Sequence, residues 1–363
     1  MKHKDQHNQS ALKVNKGVEQ PSAINPNLKN LSGRFKKDIL TTEQYFDGIL
    51  KRDRTIVSKA ITLIESALPE HKKTAKELIS LCLPYSERSF RLGITGVPGA
   101  GKSTFIEAFG LYAVEQGKKV AVLAIDPASN RSKGSILGDK TRMEKLSARE
   151  EVFIRPSSNA GTLGGVSRNT RESMIILEAA GYDLIIIETV GVGQSETAVA
   201  QMTDLFLLMM IAGAGDELQG IKRGIMEMAD IVLINKADGD NVKKAEMAKR
   251  EIENALHLFP ARESAWIPKV LTASALEQKG IDKTWKLINE YQELTKKNGF
   301  FEEHRKQQLL DIMNDNIKQS LIDSFYNNKK ISKVLETSKN LILEGKTTPY
   351  EEAEKLLRLY FGK

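Results

Sequence analysis

The chain has a single cysteine, Cys82, in 363 residues. One thiol excludes an internal disulfide and fits a reducing cytoplasm. Its neighbours Leu81 and Leu83 make it a packed helix residue rather than a nucleophile. Histidine is almost as scarce. His3, His7, His71, His257 and His304 lie scattered, which excludes a sequence-local cluster of imidazole or thiolate metal ligands. Long apolar runs are also missing. The longest, residues 205–214, falls short of the roughly 20 residues that a membrane-spanning helix needs. Lys2, His3, Lys4 and Asp5 are followed by no apolar core, so no secretory signal is expected. No internal repeat and no Met-rich domain is visible.

Acidic residues are scarce at the N-terminus. Residues 1–40 carry eight Lys/Arg against three Asp/Glu, a surplus of five in a net charge of +7. The same stretch is rich in Asn, Gln, Ser and Pro. It reads as a disordered, solvated basic arm rather than a nucleic-acid surface. Neither a nucleic-acid nor a membrane partner is expected.

What is present begins with Gly96, Val97, Pro98, Gly99, Ala100, Gly101, Lys102 and Ser103, which match G-x-x-x-x-G-K-[ST]. The glycines let backbone N–H groups turn inward toward a phosphate. Lys102 brings a point charge to the β- and γ-phosphates. Ser103 offers a hydroxyl to Mg²⁺, and the helix expected from Thr104 onward points its positive end at the anion. Arg91 to Thr95 reads as the preceding strand.

A second motif names the base. The apolar strand Ile231–Ile234 runs into Asn235-Lys236-Ala237-Asp238, an N-K-x-D sequence. Asp238 can accept from guanine N1–H and the exocyclic amine together, a donor pair that adenine lacks. The Lys236 stem can cover the purine face, and Asn235 can tie this loop to the phosphate loop. After the strand Lys269–Thr272 come Ser274, Ala275 and Leu276, an S-A-[KL]-like element in which the Ala275 N–H is expected at guanine O6. GTP and GDP are the expected ligands.

Between the motifs, two acids end apolar strands. Asp126 follows Lys119–Ile125, and Glu188 follows Asp183–Ile187. Ligands of open α/β sheets bind at such strand ends, so both acids are candidate Mg²⁺ ligands, with Ser103 as the third. Glu188-Thr189-Val190-Gly191 stands where GTPases carry D-x-x-G, and the Gly191 N–H can sense the γ-phosphate. Val192 then occupies the place where many GTPases carry a water-orienting Gln. An apolar residue cannot orient water, so hydrolysis by the chain alone is expected to be slow.

Several longer runs carry a family resemblance: 125–129, 134–143, 154–157, 161–165, 188–196 and 212–222. Over about residues 45 to 330 the chain resembles the methylmalonyl-CoA mutase-associated GTPases, the MeaB/ArgK family. Its members are dimeric G-protein chaperones that gate cofactor loading of adenosylcobalamin-dependent acyl-CoA mutases. The resemblance implies catalytic roles for Lys102, Asp126, Asp139 and Glu188, with Asp139 an acid of the first switch. It also implies an extra switch from about 213 to 222, with Asp216, Glu217 and Lys222 coupling to the mutase. Adenosylcobalamin would belong to the mutase, and the implied partners are methylmalonyl-CoA mutase and its adenosyltransferase. Ala128 and the Arg131-Ser-Lys133 stretch depart from the family pattern away from ligating positions.

The alternative class is a GTPase metallochaperone for nickel-enzyme maturation. It needs clustered soft or imidazole ligands, which the sequence does not show. A kinase tied to amino-acid transport would need an acceptor site, and none is apparent.

The expected fold is α/β, a doubly wound, mostly parallel sheet flanked by helical segments. The expected domains are a basic arm (1–40), a helical segment (41–87), a P-loop GTPase domain (88–287) and a C-terminal helical region (288–363). Apolar Leu309, Leu310, Ile312, Met313, Ile317 and Leu321 form a stripe that a nucleotide fold cannot cover. The resemblance makes this region a homodimerisation arm.

Overall fold

Four of the seven strands are built on continuous apolar runs of Val, Ile, Leu, Ala, Phe and Met, because the sheet they form is covered on both faces. The computed structural model describes residues 40–66, 68–125, 143–156, 163–189, 195–213 and 223–362. The strands are β1 (Phe90–Gly96), β2 (Val120–Ile125), β3 (Val152–Pro156), β4 (Leu184–Thr189), β5 (Leu205–Ile211), β6 (Ile231–Asn235) and β7 (Lys269–Thr272). Their order is β3-β2-β4-β1-β5-β6-β7, and every pairing is parallel. β3 is an edge strand that the sequence reading did not assign. Its five residues include Arg155 and Pro156, which break the apolar signal.

The helices are α1 (Thr42–Leu50), α2 (Arg54–Glu65), α3 (Pro69–Cys82), α4 (Lys102–Glu115), α5 (Glu144–Ser147), α6 (Leu163–Ala179) and α7 (Ser195–Ala200). They continue with α8 (Arg223–Met228), α9 (Val242–Leu256), α10 (Ile281–Lys297), α11 (Phe300–Tyr326), α12 (Lys329–Leu343) and α13 (Pro349–Phe361). Alternate residues of one strand feed two cores. Ile185 and Ile187 of β4 join Ile61, Leu78 and Cys82 from the N-terminal helices. Leu184 and Ile186 join Phe105 and Phe109 of α4 and Tyr291 of α10. Cys82 is buried as expected, and burial pushes its thiol up to about 12. It is therefore a packing group and not a thiolate.

Helix α10 runs through the expected boundary at 287/288. Trp285 packs on Phe109 and Tyr112 of α4, and Tyr291 packs edge-on to Trp266. At the N-terminal ends of the strands, α11 is held by charge. Arg305 donates to both Asp204 oxygens, at 2.5 and 2.6 Å, and to Ser89 O. Arg91 makes a two-pronged pair with Glu178, both bonds at 2.9 Å. Beyond Gln308 the same helix leaves Leu309, Leu310, Met313, Ile317 and Leu321 about half exposed. Among the described residues no helix is long and apolar enough to cross a membrane.

Candidate functional site

The C-terminal ends of β1, β4 and β6 bring the sequence motifs together. β1 ends at Gly96, where a β-carbon would run into the Met209 carbonyl of β5. Gly101 caps α4 in the left-handed region at φ 83°. A β-carbon there would stand 2.8 Å from Asn235 Nδ2. Both positions therefore need glycine.

Lys102 opens α4 and is buried. Its Nζ donates to Gly96 O at 2.7 Å and to Val97 O at 3.2 Å. An ammonium has three donors. The loop's own carbonyls hold two, which fixes the charge over the loop and leaves one for an anion. Burial draws the Lys102 pKa below the ordinary lysine value, while Glu188 and Glu196 pull it back.

Ser103 Oγ lies 3.3 Å from Glu188 Oε1. Cis oxygens on an octahedral Mg²⁺ stand about 2.9 Å apart, given metal–oxygen distances of about 2.05 Å. The hydroxyl and carboxylate thus fit a hard cation directly or through water. Such an ion would neutralise phosphate charge. Asp126, Asp139, Gly191, Val192, Asp216, Glu217 and Lys222 lie outside the described residues.

The base-side loops are cross-tied. Asn235 ends β6, nearly fully buried. Its amide donates to Ala100 O at 2.8 Å and accepts from Ala275 N at 3.2 Å. One side chain thus joins the phosphate loop to both base-side loops. Lys236 turns the chain at φ 59°, and Asn241 holds that turn through Lys236 O at 2.8 Å. The buried Ser274 hydroxyl donates to Asp238 Oδ2 in a short bond and accepts from Glu277 N at 3.1 Å. That leaves Asp238 oriented with acceptor capacity to spare. Leu276 is exposed at the lip, as are Pro98, Gly99 and Thr104 on the phosphate side. The Ala275 N–H, expected at guanine O6, donates here to Asn235, so a base would exchange that partner.

Two features were given no role of their own by the sequence reading. Glu196, buried in the first turn of α7, acts electrostatically on Lys102. Thr95 and Thr189 share a buried 2.7 Å hydrogen bond between β1 and β4. Thr95 precedes the phosphate loop and Thr189 lies within the E-T-V-G motif, but their pairing depends on strand order and leaves no local signal.

A parallel seven-stranded sheet with this phosphate loop and an N-K-x-D loop tied to it defines a P-loop GTPase. The comparisons narrow the class. The family profile described as "Methylmalonyl Co-A mutase-associated GTPase MeaB" matches residues 57–330. A probable GTPase of Mycobacterium tuberculosis is 47% identical over 307 residues, covering 85% of this chain and 91% of its own. The GTPase ArgK of Escherichia coli is 44% identical, covering 85% and 95%. The mitochondrial methylmalonic aciduria type A homolog of Mus musculus is 39% identical, covering 95% and 86%. A crystal structure described as a LAO/AO transport system kinase superposes with a TM-score of 0.68 at 35% identity, covering 88% and 97%. The chain belongs to the methylmalonyl-CoA mutase-associated GTPase family, and it is a GTPase.

Proposed function

We propose that this GTPase is a G-protein chaperone of an adenosylcobalamin-dependent acyl-CoA mutase, methylmalonyl-CoA mutase first among them. It gates loading of the mutase's cofactor and protects the mutase. The observation that carries this reading is the family match across residues 57–330. The mutase's adenosyltransferase is a second partner, and the cytoplasm is the site of action.

Lys102 stabilises the phosphates, and Ser103, Asp126 and Glu188 hold Mg²⁺, with Asp139 approaching from the first switch. Asn235, Lys236, Asp238 and the Ser274–Leu276 loop hold guanine. Gly191 senses the γ-phosphate. With Val192 after it, the isolated chain turns over slowly, and the mutase completes the site. Asp216, Glu217 and Lys222 pass the nucleotide state to the mutase. The exposed stripe of α11 pairs two copies of the chain.

The experiment measures GTP turnover with and without purified methylmalonyl-CoA mutase. The mutase should accelerate hydrolysis, and Lys222→Ala should remove the acceleration while leaving GTP affinity in place. Fast turnover of the isolated chain, unchanged by any acyl-CoA mutase, would overturn the reading.

A further inference from the structure

We propose that Thr95 and Thr189 form a positioning couple that sets Glu188 against Ser103 and so tunes magnesium binding. The inference rests on the Mg²⁺ assignment to Ser103 and Glu188, and not on any partner protein.

The β1–β4 ladder ends at the pair Ile94–Glu188. One residue further, each strand keeps its other neighbour and releases this one. Thr95 and Gly96 go on pairing with Leu208 and Met209 of β5. Thr189 pairs with Ile125 of β2. The two strands part here, and from this gap the phosphate loop leaves the sheet. At the mouth of the gap the Thr95 and Thr189 hydroxyls meet at 2.7 Å, with 1% and 0% of the residues exposed. The side-chain bond continues the link where the backbone ladder stops.

Two valines of the same shape would fill this buried position at little loss of stability, because replacing both partners of a buried hydrogen bond is nearly neutral. What the hydroxyls add is a fixed spacing between the strand ends. Glu188 is one residue from Thr189, and Gly96 is one residue from Thr95. The spacing therefore reaches the Glu188 carboxylate and the phosphate loop that leads to Ser103. Neither threonine needs to touch nucleotide or metal.

Stability and magnesium response separate this role from plain packing. The measurement is the release rate of a fluorescent GDP analogue from the full chain, against free Mg²⁺ and in EDTA, beside the melting temperature. Thr189→Val leaves one buried hydroxyl unpaired and should lower the melting temperature. The double variant Thr95→Val/Thr189→Val should recover it. Both should need about 3- to 10-fold more Mg²⁺ to slow release, the loss of about one hydrogen bond's worth of positioning. Their release rates in EDTA should match the parent, and Thr189→Ser should behave as the parent throughout. If the magnesium requirement returns to normal in the double variant together with stability, the couple is packing and the proposal fails. If Mg²⁺ does not slow release from the parent chain, the Ser103–Glu188 assignment fails and the proposal with it.

Discussion

At the scale of single residues, the site is a set of short ties between loops that meet nowhere in sequence. Asn235 reaches back to Ala100 and across to Ala275, so one amide orders both walls of the nucleotide cleft. Ser274 does the same for Asp238, taking one carboxylate oxygen and aiming the group. Asp238→Asn should weaken GTP and favour xanthosine triphosphate, whose C2 oxygen can accept from the new amide. Competition titrations check this, with ATP expected not to compete in the parent chain. Equal affinity for ATP and GTP would remove the guanine assignment. Asn235, Lys236 and Asp238 were legible because N-K-x-D is a local pattern. The orientation of Asp238 by Ser274 was not, since the two are 36 positions apart.

At the scale of elements, α11 is an amphipathic helix with a divided task. Its first turns dock by charge. Arg305 and Arg91 meet Asp204 and Glu178, all four side chains nearly buried. Burial works against the charge on Glu178, but Arg91, Arg305 and Ser89 outweigh it and hold its carboxyl below the usual range. A depressed folded pKa contributes stability above the unfolded value, and the contribution is lost as pH falls through the folded one. Glu178→Gln should therefore lower the melting temperature at pH 7, and the gap from the parent should close as pH falls below about 4. Arg305→Met, which strands buried carboxylates, should cost about 3 kcal/mol in denaturant titration. A gap that stays constant with pH would mean Glu178 is not held as a charged group. Asp230 acts with the opposite sign. Burial, against the pull of Arg262, pushes it up to about 6, so its contribution falls as pH rises from its ordinary value toward 6.

At the scale of the whole molecule, the nucleotide motifs gather at one end of the sheet and the α11 anchor at the other. The charged anchor lies before the apolar stripe, so the helix is fixed to its own fold before it offers that stripe outward. Leu309, Met313, Ile317 and Leu321 recur at four-residue intervals, each about half exposed. Ile317→Glu with Leu321→Glu should convert a homodimer into a monomer that still binds GDP, read by sedimentation at micromolar concentration. Unlike truncation at residue 300, this pair of changes leaves Asp204 and Glu178 with their Arg305 partner. A parent chain that already sediments as a monomer would overturn the assembly.

The sequence alone determined the parallel sheet, its phosphate and guanine loops, and the helical ends. These follow from short-range features: apolar runs, glycine spacing, and motifs read in chain order. It missed β3, because a five-residue edge strand containing Arg155 and Pro156 carries little apolar signal. It also placed a boundary inside α10, because only packing on α4 shows that this helix belongs to the nucleotide fold. Tertiary structure decided the Thr95–Thr189 bond, the Asn235–Ala275 bond, the Ser274–Asp238 bond and the Arg305 anchor. Each joins residues between 36 and 216 positions apart, brought together by strand order. A parallel sheet orders its strands by long crossovers, so the neighbours of a strand end are set by topology and not by the residues beside it in the chain.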